Sequence, residues 1–190
     1  VNSIRAYVIM TAAVGVFTLL AMLSKENGIL LPVLVGVIEL TLVASQRHRL
    51  PALNRYWAGI FIVLPAVVIS LYLGERISRD DFFDIVPPRD FSIYERFLTQ
   101  GRILIDYLQH WYFPKLYTTG VFQDHFIKST GMFSPVTTGL SYLFHIAMIS
   151  LALAKRRQLP LFSFSVLFFY ASHLLESTVI NLELYFEHRN

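Results

Sequence analysis

Long apolar runs without charge constrain this chain more than any other feature of its sequence. A helix needs about 20 apolar residues to cross a bilayer core of roughly 30 Å. Five segments meet or approach that length, residues 6–23, 28–45, 56–74, 137–154 and 159–175. Charged residues make up 15% of the chain, whereas soluble domains carry about 25%. We therefore predict an all-α fold, in which one transmembrane domain, residues 1–190, forms a polytopic membrane helix bundle of about five spans.

The positions of lysine and arginine predict how these spans are oriented. Two short loops are basic, one between the second and third spans and one between the fourth and fifth. Their basic residues are Arg47, Arg49, Arg55, Lys155, Arg156 and Arg157. Such loops stay in the cytoplasm, and alternating spans place both of them there together with Arg5. The turn at 24–27, the segment 75–136 and the tail 176–190 then face the periplasm of a bacterium or the lumen of the ER. We expect a bacterial inner-membrane protein rather than one of the ER membrane.

The ends of the sequence and its composition narrow the classes of protein to which this chain can belong. The sequence begins at Val1 without a basic region, a short apolar core and a cleavage site, so we expect no removable signal peptide. It stops at Asn190 without a closing segment, and we interpret it as a fragment of a longer chain. The absence of cysteine excludes disulfides. Basic residues form no stripe, so the expected partner is membrane lipid and not nucleic acid.

The external segment 75–136 contains the pattern of an amphipathic helix. Ser92 and Glu95 have the spacing of a capping box, with Ser92 as the N-cap. Apolar residues then follow at helical spacing, namely Ile93, Phe97, Leu104, Leu108 and Trp111. Polar residues fall elsewhere around the turn, namely Arg96, Gln100, Arg102, Asp106 and Gln109. The pattern predicts a helix over 92–113 that lies along the membrane surface; the alternative is a short packed helix in a globular loop.

Two further polar clusters lie in predicted external turns. Lys25 and Glu26 close the tight turn between the first two spans. Lys25 is a candidate for binding a phosphate head group, and Glu26 is a candidate for orienting Lys25. The alternative is that both are interfacial residues that reach toward water. The second cluster consists of Asp80, Asp81 and Asp84. Clustered carboxylates bind divalent cations, which makes a divalent cation a candidate cofactor. Arg76, Arg79 and Arg89 compete for these carboxylates, so a solvated turn is the favoured interpretation.

The tail is the densest group of charges, and its members are Glu176, Glu183, Glu187, His188 and Arg189. They form either an ion-pair network that docks the tail on the bundle or part of a site for a charged substrate. Asp106 is a candidate acid or base, with a structural role as the alternative. Glu39 lies within the second predicted span, nearer its cytoplasmic end, and we interpret it as structural.

Three stretches resemble motifs of one family. They are residues 23–32 (LSKENGILLP), 91–107 (FSIYERFLTQGRILIDY) and 173–190 (HLLESTVINLELYFEHRN). In the same order, they resemble the SKE…LP hairpin, the ER-x-LTQ-x-R-x-x-x-DY stretch and the H-x-x-E-S…EHRN signature of one group of membrane enzymes. These are the transmembrane and tetratricopeptide-repeat-containing O-mannosyltransferases and their bacterial relatives.

The resemblance implies a C-type glycosyltransferase fold that uses a polyprenyl-phosphate-linked sugar outside the cytoplasm. It implies that this chain is the transmembrane portion, with repeats beyond Asn190 and an acidic catalytic loop before Val1. Carried over by position, the catalytic candidates are Glu26, Glu176, Glu187 and Asp106. The candidates for binding the substrate or the lipid phosphate are Lys25, Arg96, Arg102, Glu183, His188 and Arg189.

These observations leave three hypotheses for function. The first is a membrane glycosyltransferase that acts in protein glycosylation or on another acceptor at the external face. The second is a polymerase or ligase of lipid-linked polysaccharide, which also has a long external loop and arginines for its carrier. The third is a non-catalytic anchor or scaffold subunit of an envelope complex.

Overall fold

The computed structural model describes residues 3–44, 83–85, 90–113 and 126–177, and separate positions between 56 and 78. Every long element among these residues is a helix, and no β-strand occurs in them, which confirms the all-α prediction. The chain forms two compact units. The first contains Val1–Tyr72 and Met148–Leu175, and the second contains Leu73–Ala147 and Glu176–Asn190.

Among the residues that the structure describes, two helices are long and apolar enough to cross a membrane. Helix α1 covers Ser3–Ser24, and its stretch Ile4–Ser24 contains no buried residue. An apolar helix without a buried residue is unfavourable in water but suits lipid. The second such helix is Thr137–Lys155, which agrees with the predicted span at 137–154.

The second predicted span is a composite of three helix types. It begins with a 3₁₀ turn at Glu26–Leu30, continues as helix α2 at Leu31–Ile38, and ends in a π-helical turn at Glu39–Val43. Pro32 lies in the first turn of α2, where its missing N–H breaks no hydrogen bond. Glu39 is 8% exposed and begins the π turn. The stretch predicted as the second span is therefore helical up to Ala44, with a helix geometry that changes along its length.

The predicted third span is described only in part. Its described positions between 56 and 75 are helical, and Trp57 contacts α1. The indole Nε1–H of Trp57 donates to Thr11 Oγ1 over 2.8 Å, and its ring packs on that of Tyr7 with centroids 6.1 Å apart. The basic residues at 47, 49 and 55 lie outside the described residues.

The remaining helices are α3 at Ile93–Tyr112, α4 at Thr137–Lys155 and α5 at Pro160–Ser172. Helix α5 begins one residue after the predicted limit of 159 and ends three residues before the predicted limit of 175. At its end, the hydroxyl of Ser172 donates to the carbonyl of Phe169 over 2.8 Å, and the His173 ring bonds the same carbonyl. Side chains that satisfy the last carbonyls in this way favour termination over continuation.

The turn between α1 and α2 depends on close contact at Gly28. A Cβ atom on Gly28 would overlap the backbone of Ala21 and Met22. The Lys25 amide also donates to the Ala21 carbonyl over 2.9 Å. The backbone group that Gly28 approaches therefore also accepts the hydrogen bond that ends α1.

We expect Gly28→Ala to lower the free energy of unfolding by about 1–3 kcal/mol, because overpacking in a rigid site forces the backbone apart. The measurement is thermal unfolding of the detergent-solubilised full-length protein. Gly15→Ala is the matched control, since nothing lies within 4 Å of the equivalent atom in α1. Equal melting temperatures for Gly28→Ala and the wild type would contradict the close contact.

Candidate functional site

Helix α3 begins at the capping box that the sequence predicts. The Glu95 amide donates to Ser92 Oγ over 3.1 Å, and the Ser92 amide donates to Glu95 Oε2 over 3.1 Å. These reciprocal bonds satisfy two amides that a helix start leaves without partners. The start of α3 and the orientation of its first turn are therefore determined locally.

Three polar residues in the first half of α3 do not face water. Arg96 is 1% exposed, Thr99 is 0% and Gln100 is 5%. The apolar side is buried as well, with Ile103 at 0% and Leu98 at 3%. Residues 93–104 are therefore packed within protein, as the packed-helix alternative describes, and the position of α3 along the membrane surface stays a prediction. The physical reason is that protein hydrogen-bond partners replace water around these side chains.

Arg96 connects α3 to the beginning of the tail. Its Nη2 donates to the backbone carbonyl of Glu176 over 2.6 Å. A buried guanidinium is tolerated only where hydrogen bonds replace its hydration. Arg96 therefore holds the backbone of residue 176 in place. This bond uses the backbone carbonyl of Glu176 and not its side-chain carboxylate.

A buried group of hydroxyls joins α3, the loop before α4 and α4 itself. Thr99 Oγ1 accepts from the Ser129 amide over 2.9 Å and donates to the Glu95 carbonyl over 2.7 Å. Thr138 Oγ1 donates to Ser129 Oγ over 2.8 Å. Thr99, Ser129 and Thr138 are each 0% exposed. This hydroxyl cluster positions the loop by hydrogen bonds, which have stricter geometry than apolar contacts.

Two cations bind the same loop to its neighbours. Arg102 Nη1 donates to the Ile127 carbonyl over 2.7 Å, and the guanidinium lies 4.9 Å from the centroid of the Phe126 ring. Lys128 donates to the carbonyl of Asp90, and its ammonium lies 3.5 Å from the Glu95 carboxylate. Lys128 thus has a carboxylate neighbour.

The described contacts of Arg102 are all with neutral groups, including Ser129 Oγ at 3.3 Å. Burial lowers the pKa of this guanidinium from its ordinary value, but arginine remains protonated in proteins. Arg102 therefore retains a positive charge that suits an anionic ligand such as a phosphate.

Helix α3 packs closely on α4 at Gly101. A Cβ atom there would lie 2.7 Å from the Tyr142 ring. Tyr142 donates its hydroxyl to the Phe97 carbonyl over 2.5 Å, and His145 Nε2 bonds the Gly101 carbonyl over 2.7 Å. Tyr142 and His145 were not identified from the sequence, because nothing local marks a residue whose partner lies on another helix.

Asp106 and His110 form a pair one turn apart in the second half of α3. His110 Nδ1 lies 2.7 Å from the Asp106 carbonyl and 3.2 Å from Asp106 Oδ2. The carboxylate proposed from the sequence as an acid or base therefore has a histidine beside it. The spacing of four residues was the available signal for this pair.

The other candidate residues are distributed as follows. Lys25 is exposed and follows α1 in the first unit. Asp84 is exposed. The side chain of Glu26 lies outside the described residues, as do the positions of Asp80, Asp81, Glu183, Glu187, His188 and Arg189. Within the part of the chain that the structure describes, no three His, Cys, Asp or Glu residues are grouped so as to hold a metal ion.

Comparison with known proteins gave no match: no family model, no curated protein and no solved structure matches this chain. The geometry of the second unit is therefore the basis for the functional argument. It brings Arg96 to the backbone of Glu176, and Arg102 follows Arg96 by six residues on the same helix.

We expect Thr99→Val to lower the free energy of unfolding by about 1–3 kcal/mol, because it leaves the buried Ser129 amide without its acceptor. Thermal unfolding of the full-length protein measures this effect. Thr130→Val is the control, since Thr130 is exposed and bonds through its backbone amide. Equal losses in the two variants would show that the hydroxyl cluster does not hold the loop.

Proposed function

We propose that this chain is the transmembrane portion of a glycosyltransferase, which transfers a sugar from a polyprenyl-phosphate donor to an acceptor at the non-cytoplasmic face. The observation that carries the proposal is the bond between Arg96 Nη2 and the Glu176 carbonyl. These residues belong to two separate stretches that resemble the same glycosyltransferase family. Motifs 80 residues apart that meet in the fold are what a shared site requires.

The proposed topology has five spans with both basic loops in the cytoplasm. Two helices of sufficient length, Ile4–Ser24 and Thr137–Lys155, support it. The shorter apolar helices Asn27–Val43 and Pro160–Ser172 and the helical positions between 56 and 75 supply the other three. The amphipathic α3 and the tail then lie on the periplasmic side of a bacterial inner membrane.

The residues have distinct proposed roles. Arg102 binds the carrier phosphate, since its charge is balanced by no carboxylate among its described contacts. Arg96 is a positioning residue, because it is 1% exposed and holds the backbone at 176. The Glu176 carboxylate accepts the proton of the acceptor hydroxyl. This assignment replaces the direct phosphate-binding role that the resemblance implied for Arg96.

The reaction follows from these roles. The acceptor oxygen attacks the anomeric carbon of the sugar, and a new glycosidic C–O bond forms. The bond from that carbon to the carrier phosphate breaks, and its electron pair leaves with the polyprenyl phosphate. Arg102 stabilises the negative charge that develops on this phosphate, and Glu176 receives the hydroxyl proton.

A scaffold without catalysis is the second candidate function. It is favoured by the hydroxyl cluster, in which Thr99, Ser129 and Thr138 are hydrogen-bonded to one another or to the backbone and are each 0% exposed. Such a cluster stabilises a fold without any chemistry. Transfer of label from a defined donor distinguishes the two functions.

We expect Glu176→Gln to reduce transfer about 100-fold or more, the usual contribution of a general base. The substitution keeps the backbone carbonyl that Arg96 binds, so the fold is expected to persist. Membranes from a strain lacking the gene supply the acceptor, and polyprenyl-phosphate carrying a tritiated hexose supplies the donor. Full-length wild-type protein restored to these membranes is expected to transfer the label.

Glu75→Gln is the matched control, because Glu75 is an exposed carboxylate outside the proposed site. Glu26→Gln and Glu187→Gln extend the test to the other carboxylate candidates. Wild-type protein of normal abundance that transfers no hexose would contradict the glycosyltransferase and favour the scaffold. Transfer that survives all three candidate substitutions would contradict the site assignment alone.

A further inference from the structure

An open apolar groove runs along the first unit between α1 and α2. Its volume is about 620 Å³, and its walls include Ala13, Phe17 and Ala21 of α1 with Leu31 and Val35 of α2. Small side chains at 13 and 21 form the recess, while Phe17 borders it. Every lining side chain is apolar, so the groove excludes a polar ligand and accepts a hydrocarbon chain.

The groove leads toward a positive charge. Ala13, Phe17 and Ala21 are spaced four residues apart on one side of α1, and Lys25 follows Ala21 by the same interval. The Lys25 amide donates to the Ala21 carbonyl over 2.9 Å, which closes the last turn of α1, and the backbone of Lys25 itself is extended. Lys25 is exposed and follows by four residues Ala21, which lines the groove. A hydrocarbon channel next to an ammonium matches a lipid with an acyl chain and an anionic head group.

We propose that this groove binds one acyl chain of an anionic glycerophospholipid whose phosphate contacts the Lys25 ammonium. The stretch from Ala13 to Ala21 is about 12 Å long at 1.5 Å per residue, which accommodates a large part of one acyl chain. Bilayer phospholipids surround α1 at very high local concentration, and mass action favours them over any rarer occupant. This inference does not depend on glycosyl transfer.

The test uses full-length protein in nanodiscs of equimolar phosphatidylglycerol and phosphatidylcholine. After extraction into mild detergent, native mass spectrometry counts the lipids that each protein molecule retains. The wild type is expected to retain one phosphatidylglycerol in preference to phosphatidylcholine. We expect Lys25→Gln to reduce that preference about fivefold, the factor that one basic side chain contributes near an anionic surface, and Lys25→Arg to preserve it.

Filling the groove provides an independent variant. Ala13→Phe is expected to remove the retained lipid, whereas Ala12→Phe is expected to keep it, because Ala12 is exposed and does not line the groove. Helical circular dichroism and a single elution peak establish that each variant is folded.

Three results would overturn the proposal. If Lys25→Gln kept the preference for phosphatidylglycerol unchanged, the proposed contact between the head group and Lys25 would be wrong. A dimer without retained lipid would identify a second copy of the chain as the occupant. Preferential retention of undecaprenyl phosphate, added to the same nanodiscs, over phosphatidylglycerol would assign the groove to a carrier lipid.

Discussion

The structure of the second unit depends on hydrogen-bond acceptors for the buried guanidinium of Arg96. Removing a charge from water costs several kcal/mol unless hydrogen bonds replace its hydration. At 1% exposure, Arg96 therefore requires acceptors held by the surrounding protein, and the Glu176 carbonyl at 2.6 Å is one of them. Since that carbonyl lies 80 residues away, the demand of one side chain ties the beginning of the tail to α3. The hydroxyl cluster and the contact at Gly101 then fix α3 against the loop and α4.

Among the described residues, many apolar side chains are exposed and several polar side chains are buried, which is unusual for a water-soluble protein. Leu23 is 85% exposed and Phe17 is 61% exposed on α1, whereas Arg96 and Thr99 are buried. Lipid as the solvent for α1 explains why Leu23 and Phe17 are exposed, because apolar side chains lose nothing by facing hydrocarbon. Hydrogen bonds to other protein groups explain why Arg96 and Thr99 are buried. The two observations are consistent with one account, in which polar residues are kept within protein and apolar residues face the bilayer.

Sequence patterns predicted the features that depend on neighbouring residues. The capping box at Ser92 and Glu95 and the span at Thr137–Lys155 both depend on residues within one helix. The burial of Arg96 was not predictable in this way, because an arginine on an amphipathic helix usually faces water. Its acceptor, and those of Tyr142 and His145, are 80, 45 and 44 residues distant. The π turn at Glu39 likewise has no signature in the local residue pattern.

The central claim is that the polar side of α3 faces protein rather than water, and cysteine accessibility tests it most directly. The 190 residues contain no cysteine, so single substitutions report on one position at a time. Gln100 is 5% exposed and Gln109 is exposed on the same helix. The account predicts that a membrane-impermeant maleimide labels Gln109→Cys rapidly and Gln100→Cys only after denaturation. Equal labelling of both positions in the native full-length protein would contradict it and restore the surface helix.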